Sequence, residues 1–321
     1  DPNPDPARSF AERQRLFALP RSSWADYDPA LISEGGGVWS RTAKSIPLSP
    51  ELRAWLGSTA SQMTPPELIK ALLQAPVDLL YNGGIGTYVK ASSQSHQEAT
   101  DRGNDILRVD ASQLEARVIG EGGNLGLTQK GRIEFALNGG RIFTDAIDNS
   151  AGVDCSDHEV NIKILLAGLI RRGDMTGKQR DALLASMTDA VASLVLADNY
   201  QQTQAIALEA AAGASLIEVH GRLIRHLEAR GSLHRGIEFL PDDKGLAERA
   251  QQKRGLTAPE IAVLLAYAKI ALKEILLASS LPDSEDMHQL LVAYFPAPLL
   301  VRCRELLPAH PLRRDIIATQ L

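Results

Sequence analysis

The sequence predicts an α/β chain. A partial Rossmann-like parallel sheet, the C-terminal half of a dinucleotide-binding domain, is expected over residues 1–158, and an all-α helical domain over 159–321. Three observations carry this. Short apolar runs at 77–81, 116–120 and 141–144 each end in small or polar residues, with a helical segment between the second and third, the rhythm of a parallel sheet. A full dinucleotide fold needs about twice that many strands, so this is half of one. After Asp157 apolar residues recur at helical spacing, as in Leu183, Met187, Val191 and Leu194.

In chain order, the opening Asp-Pro repeats resist helix, because each proline pushes its predecessor to an extended conformation. A short helix follows over 10–19, closed by Pro20. Residues 22–50 read as loop with a small hairpin. Gly35-Gly36-Gly37 reads as a flexible turn, with a phosphate-cradling nest as the alternative; it is not followed directly by Lys-Ser/Thr and is no P-loop. Ser49-Pro50 starts a helix with a cap and a proline at its first position, and Thr64 with Glu67 forms a capping box for another reaching 74. The strand at 77–81 opens into Asn82-Gly83-Gly84-Ile85-Gly86-Thr87, which lacks the third glycine of the Rossmann fingerprint. Residues 91–104 are polar loop. Helices are expected over 156–172, 177–198, 199–213, 215–230, 243–253, 258–278, 284–293 and 297–306. Thr176 with Gln179 and Thr257 with Glu260 supply two more capping boxes.

The 321 residues suffice for two domains and a substantial core. A net charge of −5, with basic residues scattered singly or in pairs and few aromatics, disfavours nucleic-acid binding. Two cysteines, Cys155 and Cys303, indicate a reduced, cytoplasmic protein rather than a disulfide scaffold. The most apolar run, 261–278, is broken by Lys269, Lys273 and Glu274, so no membrane partner is expected. There is no initiator Met and no closing helix-stop signal, and both ends read as cut, an internal piece of a larger polypeptide.

The stretch from Val118 to Glu159 organises the chain. Its strand ends carry Glu121-Gly122-Gly123-Asn124 and Asp148-Asn149-Ser150-Ala151-Gly152. Ligands bind parallel sheets at such ends, where glycines admit a ligand to the backbone and asparagines offer amide donors and acceptors. An asparagine there can equally serve only to tolerate left-handed backbone. Ser156 lies in no nucleophile elbow and reads as a hydroxyl at a helix start, either an N-cap or a donor to an anionic ligand. Asp154, His158 and Glu159 cluster in sequence, but no second histidine at a helical offset and no cysteine pair accompanies them, so no metal is expected. His96, His220, His226, His234, His288 and His310 read as surface or helix-face residues, and Cys155 as a small packed side chain.

These residues resemble a family. Glu121-Gly122-Gly123-Asn124, followed by Asn149-Ser150-Ala151-Gly152-Val153-Asp154-Cys155-Ser156, is similar to the glutamate dehydrogenase blocks Glu-Gly-Ala-Asn and Asn-Ala-Gly-Gly-Val-x-x-Ser. The whole chain is most similar to the large-subunit-class, NAD-specific bacterial glutamate dehydrogenases. Residues 32–41, 78–88 and 198–204 add to the likeness. The resemblance implies an enzyme of amino-acid catabolism that oxidises L-glutamate with NAD to 2-oxoglutarate and ammonia, as a homo-oligomer. It further implies cofactor contacts at Gly122, Gly123, Asn124 (nicotinamide ribose) and Asn149 (nicotinamide ring). Ser156 would hold the substrate's side-chain carboxylate, and Asp1 would take the adenosine ribose hydroxyls. Asn149-Ser150-Ala151-Gly152 departs from the family's Asn-Ala-Gly-Gly by a small-for-small change. The family's catalytic lysine and aspartate, its substrate lysines and its glycine fingerprint fall upstream of Asp1. No catalytic residue is therefore expected in this segment, which should depend on the upstream part of the same polypeptide and be inactive alone. The rival reading is a non-catalytic helical assembly or regulatory segment of a large enzyme. A third, a dehydrogenase of branched-chain amino acids, hinges on Ser156, whose carboxylate contact would be pointless for an apolar side chain.

Overall fold

The computed structural model describes residues 1–321. The chain divides into two compact units. One comprises Asp1–Leu80, Gly86–Ile119 and Gly126–Gly140, the other Tyr81–Ile85, Gly120–Leu125 and Arg141–Leu321.

The first unit is built from short elements with local stop and start signals. Helix α1 (Pro6–Ala18) begins at the last of the Asp-Pro pairs, with Pro6 in its first turn and the Asp5 carboxylate accepting the Arg8 N–H. Strand β1 (Ile46–Pro47) leads into α2 (Pro50–Leu56), where Ser49 accepts the Leu52 N–H and Gly57, at φ +61°, ends the helix. Strand β2 (Gln62–Met63) returns antiparallel to β1, and α3 (Pro65–Gln74) starts from the predicted Thr64–Glu67 box. Ile46, Leu48, Leu52 and Leu68 bury together beneath these elements.

Strand β3 (Leu79–Asn82) is followed by β4 (Val89–Lys90) and β5 (Val109–Asp110), which pair in parallel, Val89 against Val109. The Lys90 ammonium, buried, is bonded to the Asp110 carboxylate. Strand β6 (Val118–Glu121) pairs with β3. That ladder is parallel: Arg117 N–H donates to the Val77 carbonyl, Val118 N–H to Asp78, and Gly123 N–H to Asn82. Helix α4 (Gln129–Leu137) follows, capped by Thr128. Asp1 lies in no strand; its carboxylate accepts from the Ser33 backbone and hydroxyl.

The third predicted strand shrinks to a single bridge residue, Arg141, and residues 142–144 belong to no strand. Ile142 is buried and Phe143 packs into the helical core, so the apolar run is used chiefly through its side chains. The parallel sheet is accordingly small, in an otherwise helix-rich α/β chain.

The second unit is helical from Asp145 on. A single turn, α5 (Asp145–Asp148), runs into α6 (Ser150–Arg172), ended by Gly173 at φ +81°. Next come α7 (Gly177–Ser186), α8 (Thr188–Ala212), α9 (Ile217–Ala229), α10 (Asp243–Gln251) and α11 (Ala258–Ala278). The unit closes with α12 (His288–Tyr294), α13 (Ala297–Cys303) and α14 (Arg313–Gln320). The predicted boundary at 198/199 does not exist: α8 runs through it, with the Asn199 side chain donating to the Val195 carbonyl one turn back. Two cores hold these helices. Ile162, Leu165, Leu166 and Leu169 of α6 pack with Leu291, Leu299, Cys303 and Ile317, while Ile206, Ile224, Leu227, Ile261 and Leu264 form the other. Helix α11 is fixed at its start by Glu260, fully buried, which accepts from Thr257 N at 2.7 Å and pairs with both terminal nitrogens of Arg249 at 2.6 and 2.8 Å. No helix is long and apolar enough to cross a membrane.

Candidate functional site

The carboxyl end of β6 is braced by α5. Asp148 Oδ2 accepts the Glu121 N–H at 2.8 Å, and Asp145 Oδ2 accepts the Leu125 N–H at 2.8 Å. These two acids, one helical turn apart, hold 121–125 as a fixed loop in which Leu125 adopts φ +61°. Asp145 and Asp148 had no role expected from sequence; their spacing of three just before Asn149 was the available signal.

Within that loop the asparagines meet. Asn149 Nδ2 donates to Asn124 Oδ1 at 2.9 Å. Asn124 is exposed and Asn149 half-buried. One amide bond between them leaves the Asn124 NH₂ and the Asn149 carbonyl able to pair with a ligand, one donor and one acceptor side by side. Asn149 is the residue before α6 and makes no capping bond of its own, so its side chain is committed to Asn124.

The two glycines have a packing role. A Cβ on Gly122 would lie 1.9 Å from the Tyr81 hydroxyl oxygen, and one on Gly123 would lie 2.5 Å from the Gly84 carbonyl oxygen. The ends of β3 and β6 thus approach to backbone contact at Gly123, while the Tyr81 ring lies over Gly122.

Helix α6 begins six residues before the expected start, so Ser156 lies in its second turn and is not an N-cap. It is exposed, seven positions beyond Asn149 and hence on the same face of the helix. The structure brings Asn124 and Asn149 into contact; Ser156 joins them only by this alignment. Cys155 is exposed rather than packed, and Cys303 is the buried thiol, its pKa raised by burial.

Behind this face, α6 is tied to α8 and α11. Ser150 Oγ donates to Asn199 Oδ1, Gln202 Nε2 donates to Ser150 Oγ at 3.3 Å, and Lys269 Nζ donates to Gln202 Oε1 at 3.0 Å. One turn on, Asp154, His158 and Asp198 place one donor atom each within 4.8 Å of one another, while Glu159 turns away to pair with Lys163. His158 is 1% exposed and stacks on Tyr294, ring centroids 4.4 Å apart. Burial raises the Asp154 carboxyl above the usual range, opposed by His158 and reinforced by Asp198 and Asp157. Burial also pushes Tyr294 up to about 12. Of the histidines expected at the surface or on helix faces, His220 lies on the buried face of α9 and His310 is buried outside any helix, at 3% and 2% exposure. His220 bonds to Glu209, and His310 bridges the Asn161 carbonyl and the Leu312 N–H.

Residues 1–209 match the family described as bacterial NAD-glutamate dehydrogenase, catalytic domain, and residues 253–321 match glutamate dehydrogenase, C-terminal. Proteins named NAD-specific glutamate dehydrogenase are similar over the whole chain: 56% identical in Pseudomonas aeruginosa, 54% in Mycobacterium tuberculosis and 52% in Halomonas elongata. The chain spans 20% of the length of each of these relatives.

Proposed function

The chain belongs to the bacterial NAD-glutamate dehydrogenase family, and from that premise we propose that it forms the nicotinamide side of the active site of an NAD-dependent glutamate dehydrogenase. The enzyme is a cytoplasmic homo-oligomer that converts L-glutamate to 2-oxoglutarate and ammonia. In this reading residues 1–158 are the second half of a Rossmann-like domain and 159–321 a helical domain that supports it.

The observation that carries the reading is the Asn124–Asn149 bond at the end of a parallel strand pair. Its remaining donor and acceptor fit the hydroxyls and carboxamide of a nicotinamide nucleoside. Asn124 faces the ribose and Asn149 the ring, with Gly122 and Gly123 keeping the strand end low beside them. Bound there, NAD supplies hydride acceptance. Ser156 donates its hydroxyl to the side-chain carboxylate of glutamate, a contact that an apolar amino acid would leave unpaired. The base and the groups that orient the substrate Cα belong to the upstream part of the polypeptide.

The test is kinetic, in the full-length enzyme. Asn124→Ala and Asn149→Ala are expected to raise the KM for NAD, and Ser156→Ala the KM for glutamate, each about 10-fold, the worth of one good hydrogen bond. The isolated chain is expected to give no glutamate-dependent NADH. Unchanged constants in all three variants, or turnover by the isolated chain, would overturn the reading.

A further inference from the structure

We propose that Asp154, His158 and Asp198 form a site for a divalent transition-metal ion that cross-links α6 to α8. Asp154 and His158 stand four positions apart on one face of α6, and Asp198 reaches them from α8. His158 Nε2 lies 3.7 Å from Asp154 Oδ1, too far for a hydrogen bond. Neither ring nitrogen of His158 has a hydrogen-bond partner, and neither does the buried Asp154 Oδ2.

That is an unusual expense for an interior. An unmade bond at a buried polar atom costs about 1–3 kcal/mol, and such atoms in folded proteins are ordinarily paired with protein, water or an ion. Here two carboxylates and one imidazole converge from two helices, a donor set suited to an ion. Donors bound to one ion at about 2.1 Å are at most about 4.2 Å apart; His158 Nε2 and Asp154 Oδ1, 3.7 Å apart, already meet that limit, and the Asp198 carboxylate lies within 4.8 Å of both. The mixture of imidazole and carboxylate selects a first-row ion such as Zn²⁺ or Mn²⁺ over Ca²⁺ or Mg²⁺. Stacking on Tyr294 fixes the imidazole plane, and the Tyr294 hydroxyl is itself held by Asn161 at 2.8 Å. Asp198 is exposed, which gives the ion an entry path and leaves room for water to complete its coordination. The site owes nothing to the cofactor assignment, and its test reads metal rather than turnover.

The experiment uses the full-length enzyme, stripped with chelator and dialysed against Zn²⁺ or, separately, Mn²⁺. Bound metal is counted by elemental analysis, and the melting temperature is followed with added ion. Wild type is expected to take up one more equivalent per chain than Asp198→Asn, whose exposed position keeps the fold intact, and than Asp154→Asn. Affinity at this site should fall more than 10-fold in each variant, and the melting rise with Zn²⁺ should shrink. Equal uptake and equal melting shifts in wild type and Asp198→Asn would mean that the cluster holds water only, and would overturn the proposal.

Discussion

The backbone contact between the ends of β3 and β6 predicts an inversion of what bare distances suggest. At Gly123 an alanine Cβ would stand 2.5 Å from the Gly84 carbonyl oxygen, 3.0 Å from its carbon and 3.2 Å from its nitrogen. Comfortable C···O approach begins near 3.3 Å, so one turn must retreat by about 0.8 Å. Both are tied: Gly123 N–H donates to the Asn82 carbonyl at 3.1 Å and Gly84 N–H to Asn82 Oδ1 at 3.3 Å. Overpacking of this kind costs about 1–3 kcal/mol, and a lost hydrogen bond adds about 1. Gly123→Ala should therefore destabilise by about 2–4 kcal/mol. At Gly122 the clash is shorter on paper, 1.9 Å, but it is with the hydroxyl of Tyr81, a side chain 65% exposed that can rotate into water. Gly122→Ala should cost less than about 1 kcal/mol. The assay is urea unfolding of both variants, alone and combined with Tyr81→Ala, which should relieve Gly122→Ala and leave Gly123→Ala unchanged. Equal losses at the two glycines, or relief of both by Tyr81→Ala, would refute the argument.

Three further outcomes follow from the helical unit. Glu260→Ala strands Arg249 and removes the α11 cap; loss of one partner from a buried pair implies about 3–5 kcal/mol, and a thermal or denaturant shift worth under about 1 would contradict the role given to Glu260. Leu166→Ala, at a fully buried position of α6, should cost about 2–5 kcal/mol in chemical denaturation. His310 is held below the usual imidazole range by burial, against the bond to Asn161, and it accepts the Leu312 N–H on Nδ1, which protonation would forbid. A depressed folded pKa contributes stability that is complete above the unfolded value of about 6.5 and is lost as pH falls through the folded one. Denaturation midpoints should therefore drop as pH falls below about 6.5 more steeply in wild type than in His310→Gln; parallel slopes would exclude His310 as the cause.

What could be read in advance was what is local. The boxes at Thr64, Thr176 and Thr257 start helices where their spacing says, because a cap is satisfied within four residues. The apolar runs of β3 and β6 likewise announced themselves. The run at 141–144 yields one bridge residue, Arg141, and no strand, since a ladder needs a neighbour along its whole length and periodicity cannot say whether one is offered. Asn199 looked like a helix end and is a helix interior, its side chain bonded to Val195 one turn back and to Ser150, 49 residues away. The candidate site divides the same way. Asn124 and Asn149 stood out as strand-end residues, which holds for Asn124 after β6 but not for Asn149, which sits between α5 and α6; Asp145, Asp148 and Asp198 acquire meaning only when the fold brings them to the loop or to His158.

Helix α6 runs for 23 residues without interruption, with Asn149 at its head and Ile162, Leu165, Leu166 and Leu169 clamped in a core towards its foot. Adding or deleting one residue between them would swing the head by about 100° and slide it by about 1.5 Å against the clamped half. Point replacements along this stretch cost local contacts; a change of length would turn Asn149 away from Asn124, and Asp154 and His158 away from Asp198, all at once. Substitutions within α6 should therefore be tolerated far better than the insertion or deletion of a single residue between Asn149 and Ile162.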